Sequence, residues 1–501
     1  MSRKTRAGAT AVDVRPPGKG RRRESGGQRR RRTLVRGRAR RGQRRRRQQA
    51  AGRPIPHPER LTGHGRMRQF VRYVEKVFKL SERVRKTVCD GRRSPTYPID
   101  TIVLLCIVMF VTRHRSFNAF KERLLEPAMK RLLGGRALPV CVDTIGDALK
   151  KVDPESLREL LRQILAVAEK NKVFRRAWHG GRRYFAFDGF EQFRSRKLRC
   201  NECHVAVIDK EKEGQHDEYF HRFLVMYSIG PAPELILDVA PLLGKPRFLE
   251  QEAEKVKAEG ELTTVRRGVA GLRAQFPKLF DVGVGDALYS NGPMLRFMRE
   301  GRPAYHLIAI LKKEKEEPLK DAIDVYARLP PTDQYYDEAR EEWVRVWDTG
   351  EFATLASCPF PLRVLKVQKV AVKKAQRKAR LNWDDPKTVA TWWILTTLPR
   401  EELPAAAVFD VQRHRWDQEN GHCELTQHWG IKHNFVHHPV ATPAVMLLIA
   451  IAYNLFQLFC HRCLSAATRT AFADVEVARQ MLLDYPQLRS RHEGFAGPAA
   501  G

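Results

Sequence analysis

The chain has 501 residues, 43% of them hydrophobic, which is enough to bury a sizeable core and usual for two to four domains. Lys and Arg number 92 against 57 Asp and Glu, a net charge of +35. This excludes an acidic solvating protein and makes a polyanion, most often nucleic acid, the leading partner rather than a small-molecule substrate. Nine cysteines are too sparse, and odd in number, for a disulfide framework, so the expected compartment is reducing.

Residues 1–50 hold 20 Lys and Arg against Asp13 and Glu24. With almost no apolar residues this segment cannot bury a core, and residues 1–60 are expected to be a disordered Arg-rich arm. It reads either as a basic arm that binds DNA without sequence preference or as a dispensable extension. It is no secretory signal, because its basic residues are followed by more basic residues.

Order is expected from Met67, where Phe70, Val74, Val77 and Phe78 repeat at helical spacing. Ile99–Val111 reads as a buried helix, too short at about 13 residues to span a membrane. Asp153-Pro154 starts another helix, with Leu157, Leu160, Leu161 and Ile164 on one face. Residues 67–178 therefore form a helical region, basic on its outer faces and a candidate for DNA binding. The texture then changes. Tyr184–Asp188 is a short apolar strand ending in a carboxylate, and Val205–Asp209 and Phe220–Ile229 are two more strands. Leu249–Gln275 reads as helical. Asp281–Asp286 is a second strand ending in Asp, followed by a helix at Met294–Arg299 and a strand at Tyr305–Leu311. This order implies a mixed α/β sheet over 180–311. Residues 312–400 read as a β-rich insertion with strands at Trp343–Trp347, Leu362–Val372 and Thr391–Leu398. Trp343, Trp347, Trp392 and Trp393 are core candidates. Residues 401–480 return to helix, at Val408–His422 and Ala444–Cys463, and 487–501 read as a frayed tail. The last apolar helix carries Tyr453, Asn454 and Gln457, and so reads as buried rather than membrane-spanning.

Asp188 and Asp286 end apolar strands, and Glu419 lies on a later helix. A carboxylate at a sheet edge is exposed yet rigidly placed. Two on neighbouring strands, with a third from a packed helix, can hold two divalent cations about 4 Å apart. Hard oxygen donors suit Mg²⁺ or Mn²⁺. Spacing alone does not identify this trio: each Asp alone reads more readily as the cap of the following turn, and the Glu as a solvated helix side chain.

Three separated stretches carry more weight together. They are Tyr184-Phe185-Ala186-Phe187-Asp188-Gly189, Gly285-Asp286-Ala287-Leu288-Tyr289-Ser290-Asn291-Gly292-Pro293, and Arg415-Trp416-Asp417-Gln418-Glu419 with its continuation Glu424 to His433. In order and texture, over roughly residues 67–470, they resemble the insertion-sequence-four-like DDE transposases, the group with a large insertion before the final Glu. The resemblance implies an RNase H-like mixed sheet core with a β-rich insertion, preceded by a helical N-terminal region. It also implies a catalytic, metal-binding trio of Asp188, Asp286 and Glu419, with two Mg²⁺ or Mn²⁺ ions and Arg415 on DNA phosphate. The implied activity is cut-and-paste DNA transposition, performed by a homodimer on double-stranded DNA in a prokaryotic cytoplasm, at the nucleoid. Two places depart from the pattern: Gln412 stands where many members have Tyr, and Thr426 where they have Lys, leaving Lys432 as the nearest downstream Lys. A nuclease on the same core and a non-catalytic DNA-binding derivative are the rival readings.

Cys200-x₂-Cys203 followed by His216 and His221 falls within the Cys-Cys-His-His zinc spacing, with His204 competing for the His216 place. The open readings are a structural zinc site, free thiols in a surface turn, or a DNA-reading finger, though no groove-reading helix follows. The resembled group carries Cys-x-x-Cys and a later His just after its first Asp, which favours Cys200, Cys203 and His221. Cys460 and Cys463 end a buried helix and read as core. His433, His437 and His438 read as a surface or phosphate-contacting loop rather than metal ligands. The stretch from Lys366 to Arg380 has seven Lys and Arg and no acid. Lys366, Lys369, Lys373, Lys374 and Arg377 are its candidate DNA contacts, a solvated face being the alternative.

Overall fold

The structure, a computed structural model, describes residues 65–124, 140–208, 214–231, 233–244, 260–312, 317–378, 380–423, 425 and 428–464. All belong to one of the two units into which the chain divides, His57–Gly501. The basic arm, the polar tail and the first part of the helix expected from Leu249 lie outside the described residues.

The N-terminal part is helical: α1 (Gly65–Tyr73), continued through a π turn at Val74–Phe78, then α2 (Leu80–Thr87), α3 (Ile99–Val111), α4 (Phe117–Leu124), α5 (Val142–Leu149) and α6 (Pro154–Lys170). The start of α6 follows from its sequence. Asp153 accepts the backbone N–H of Glu155 and Ser156, and Pro154 occupies a position whose N–H would have no helical partner. The sheet comes next: β1 (Tyr184–Ser195), β2 (His204–Ile208), β3 (His216–Ile229) and β4 (Ile236–Leu242) are joined as antiparallel neighbours, then α7 (Glu261–Gln275), β5 (Val282–Gly285), α8 (Gly292–Glu300) and β6 (His306–Leu311). β5 runs parallel to β1, and β6 parallel to β5. The order β4-β3-β1-β5-β6, three antiparallel strands followed by two parallel ones, is the RNase H-like arrangement.

The segment after β6 contains a helix, α9 (Glu317–Ala327), that the β-rich expectation missed, then β7 (Asp333–Asp337), β8 (Glu342–Trp347), β9 (Glu351–Phe352), β10 (Leu362–Ala371) and β11 (Val389–Thr396). These strands form no separate body. β11 pairs antiparallel with β6, so the insertion extends the core sheet to eleven strands among the described residues. The chain closes with α10 (Ala405–Cys423) and α11 (Ala441–Cys463). α11 is the one described helix long and apolar enough to cross a membrane, and it is the central core helix, packed on α3, α6 and β4. The helical region therefore shares a continuous hydrophobic core with the sheet, running from Met67 to Leu464. The buried Asn454 amide on α11 accepts the Ile236 N–H at 2.8 Å and donates to the Ile236 carbonyl at 2.7 Å, pairing polar groups at the start of β4.

Alternation along β1 sorts the sheet's two faces. Phe185, Phe187 and Gly189 point one way, and Tyr184, Ala186 and Asp188 the other. On the phenylalanine side, Gly283 and Gly285 of β5 leave room for the packed aromatics and helices. A Cβ at Gly283 would lie 2.6 Å from Met298 of α8 and 3.1 and 3.2 Å from Phe187 and Phe185. Gly283→Ala is expected to cost about 1–3 kcal/mol, the usual penalty of overpacking a dense core. Chemical denaturation checks this, and a cost within about 0.5 kcal/mol, typical of a surface change, would mean that this face is looser than described.

Candidate active site and a cysteine–histidine cluster

Asp188 and Asp286 are brought together by strand register. β1 and β5 pair Tyr184 with Val282, Phe185 with Gly283 and Ala186 with Val284. Continued two residues beyond the last paired rung, the same register would set Asp188 opposite Asp286, on the face shared with Tyr184 and away from the phenylalanines. The structure revises one detail: Asp188 does not end its strand, because β1 continues to Ser195 against β3. It lies instead where the parallel partner β5 stops. Beyond β5, Asp286 caps a single 3₁₀ turn by accepting the Leu288 N–H at 2.8 Å, which fixes one of its oxygens.

The helix carrying Glu419, α10, packs over this end of the sheet. Gln412 of α10 donates to the carbonyl of Gly285, next to Asp286, at 3.4 Å. Seven residues on, nearly two turns, position 419 returns to the same helix face about 10 Å further along. The Glu419 side chain lies outside the described residues. The face of the sheet is also consistent. Trp178 sits against Tyr184, which shares the aspartate side of β1, and against His414 of α10, with ring centroids 5.8 and 4.9 Å apart.

Buried charges hold α10 in place. Arg413 is buried and pairs with Glu342 of β8 and, at 2.7 Å, with Asp337 of β7. The inserted strands thus grip the carboxylate helix directly. Arg415, expected on DNA phosphate, is 1% exposed and has no surface to offer a phosphate in this conformation. Lys432 is exposed.

A further carboxylate escaped the sequence reading. Glu261, the first residue of α7, fills the space above Gly189, accepts the Tyr289 hydroxyl and pairs with Arg222 at 3.2 Å. Burial, followed by the Glu261 charge, pushes the Tyr289 hydroxyl well above the usual tyrosine range, so it stays protonated and donates. Glu261 therefore buttresses the floor beneath the aspartate pair. Its only sequence signal is an acid at a helix start, which is common to many helices.

Cys200, Cys203, His221 and His437 place four donor atoms within 4.8 Å of one another. This corrects the sequence reading twice. His216, the expected partner, is not among them: its Nδ1 is bonded to the Gly214 carbonyl at 2.8 Å. His216 and His221 are five residues apart on β3, so they face opposite sides of the sheet about 17 Å apart along the strand and cannot converge. His437, expected to be surface or phosphate-contacting, supplies the fourth donor. His204 bonds the Leu242 carbonyl at 2.9 Å and does not join the group.

The basic stretch does not form one face. Lys366 lies over Trp347 and Trp393, at 4.5 and 5.7 Å from the ring centroids, and burial lowers its pKa. Lys369, on the opposite face of β10, pairs with Glu342 at 3.2 Å. Lys373, Lys374 and Arg377 are exposed, with Lys374 and Arg377 beside Glu338 at 3.1 and 3.6 Å.

Residues 261–455 match the family model of the transposase DDE domain. The match takes in Asp286, the inserted strands and position 419, and begins after Asp188, whose place in the site rests on its register with Asp286. No curated protein matches the chain. Among solved structures, the chain resembles that of a piggyBac transposase synaptic complex with hairpin DNA. Identity is 13% and the TM-score 0.39, over 88% of this chain and 83% of that one. A likeness so distant assigns no residues.

Proposed function

We propose that the chain is a DNA transposase of the insertion-sequence-four-like kind. The observation that carries this is the β1–β5 register, whose continuation brings Asp188 to Asp286 at the end of the sheet that α10 packs on, with Asp286 and α10 inside the segment matched by the transposase DDE domain. The donor set is hard oxygen on adjacent strands, which fits Mg²⁺ or Mn²⁺ held by Asp188, Asp286 and Glu419. Ions bound there would activate a water or a DNA 3′-hydroxyl and stabilise the leaving oxygen of an in-line displacement. The protein's own part is to hold the carboxylates in register, with Glu261 and Tyr289 below and the Arg413 ion pairs fixing α10. The reaction is cleavage at terminal inverted repeats followed by joining of the 3′-hydroxyl ends to target DNA. The helical region, the exposed lysines and arginine at 373, 374 and 377, and Lys432 provide phosphate contacts. Two ends must be handled together, so the working form is a homodimer on DNA, in a cytoplasm, at the nucleoid.

The test uses purified full-length protein, Mg²⁺, and DNA carrying the ends that flank its own gene, followed for end cleavage and joining to a plasmid. Joined product that disappears in Asp286→Ala is the expected result. Cleavage without joining would replace the proposal with a nuclease, and binding with neither would replace it with a DNA-binding derivative.

A further inference from the structure

Cys200 and Cys203 occupy the turn after β1, His221 lies on β3, and His437 lies between α10 and α11, 234 residues beyond Cys203. The two sulfurs are 3.6 Å apart. His221 Nε2 lies 3.3 Å from Cys200 Sγ and 3.6 Å from Cys203 Sγ, and His437 Nε2 lies 3.8 Å from Cys203 Sγ. Zinc at about 2.3 Å from sulfur and about 2.0–2.1 Å from nitrogen gives a tetrahedron with edges of roughly 3.8 Å (S to S) and roughly 3.6 Å (S to N). The observed edges match. The sulfurs are too far apart for a disulfide, whose bond is about 2.05 Å.

The surroundings are built for a thiolate pair. The Cys200 N–H donates to Cys203 Sγ at 3.2 Å, and the Cys203 N–H donates to the Cys200 carbonyl at 3.2 Å, closing a tight turn. A hydrogen bond of the first kind stabilises a charged sulfur and orients it towards a metal. The turn is pressed against Gly244, where a Cβ would come within 2.7 and 2.9 Å of the Glu202 and Cys203 carbonyl oxygens. Cys203 and His221 are buried, and Cys200 and His437 half-buried.

We propose that Cys200, Cys203, His221 and His437 bind one zinc ion that clamps the segment returning from the carboxylate helix onto the turn after β1. Four protein donors leave no open position, so the ion is structural rather than catalytic. It joins the turn that follows the first-aspartate strand to the chain just after α10, and a link across so many residues removes considerable freedom from the unclamped chain. A second, weaker tie runs alongside it: Gln192 of β1 donates to the His433 carbonyl at 3.2 Å. The site uses none of the proposed catalytic residues, so its success or failure is separable from the transposase reading.

The test is metal analysis of full-length protein purified without chelator, followed by replacement of the metal with Co²⁺. One zinc per chain is expected, together with the intense visible bands of tetrahedral cobalt and a thiolate charge-transfer band in the near ultraviolet. His437→Ala and Cys203→Ser should lose the metal, whereas His216→Ala and Asp188→Asn should keep it. His437→Cys guards against a variant that merely misfolds: it should retain metal and strengthen the charge-transfer band, three thiolates replacing two. Chelation should raise amide exchange in residues 199–204 and 431–438 together. Wild-type protein without tightly bound metal, an octahedral cobalt spectrum, or metal lost in His216→Ala but kept in His437→Ala would each overturn the proposal.

Discussion

Replacing Asp188 with asparagine is expected to lower metal-dependent end cleavage and joining by at least about 10²–10³-fold, the loss typical when one electrostatic stabiliser of a transition state is removed. The shape of the side chain is kept and only its charge goes, so the fold should survive. Mg²⁺ should raise the melting temperature of the parent and leave that of the variant nearly unchanged, because a ligand stabilises the fold only to the extent that it binds the native state. Asp281 supplies the control. It lies at the other end of β5 and accepts the Arg183 N–H at 2.9 Å, a bond that Asp281→Asn preserves. That variant should keep both activity and the Mg²⁺ shift. Parental rates in Asp188→Asn would remove Asp188 from the site.

The aspartate pair was legible because each residue follows a short apolar run, and period-2 alternation then fixes the face. The register that sets them side by side was not, because pairing between β1 and β5 joins residues about a hundred positions apart. The Cys-x₂-Cys spacing drew attention to the turn that joins the four-donor cluster, and His216 to a place outside it. Cys-x₂-Cys is a local feature, whereas the fourth donor comes from the far end of the chain. The odd separation of His216 and His221 would have excluded His216 once a strand was drawn through both. The insertion's strands could be read individually, but their union with the core sheet depends on β11 finding β6. Helix α9 was overlooked although Leu319, Ala322 and Tyr326 are spaced for a buried stripe. The buried arginines 363, 413 and 415 were least legible, since arginine is normally a surface residue and only tertiary pairing makes its burial affordable.

Arg363 shows how strongly such burial is felt. It and Asp348 are each 3% exposed and meet through two hydrogen bonds, at 2.9 and 2.7 Å. The guanidinium also donates to the Leu403 carbonyl at 2.7 Å, two residues before α10 begins. Asp348→Ala leaves a buried cation without its carboxylate, and the expected loss is about 3–5 kcal/mol, against about 0–1 for an exposed pair. Chemical denaturation measures this. Arg363→Met combined with Asp348→Leu should recover part of the loss, because the unpaired charge is gone, but not all of it, because the Leu403 carbonyl loses its donor. The damage should also have a place. The anchor connects β10 and the end of β8 to the start of the carboxylate helix, so amide exchange in Asp348→Ala should rise in the first turns of α10 before it rises in β1 or β5. A loss below about 1 kcal/mol, the range of an exposed pair, would mean that water reaches Arg363 and that the insertion holds α10 through the Arg413 ion pairs and the Trp392–Phe409 ring contact instead.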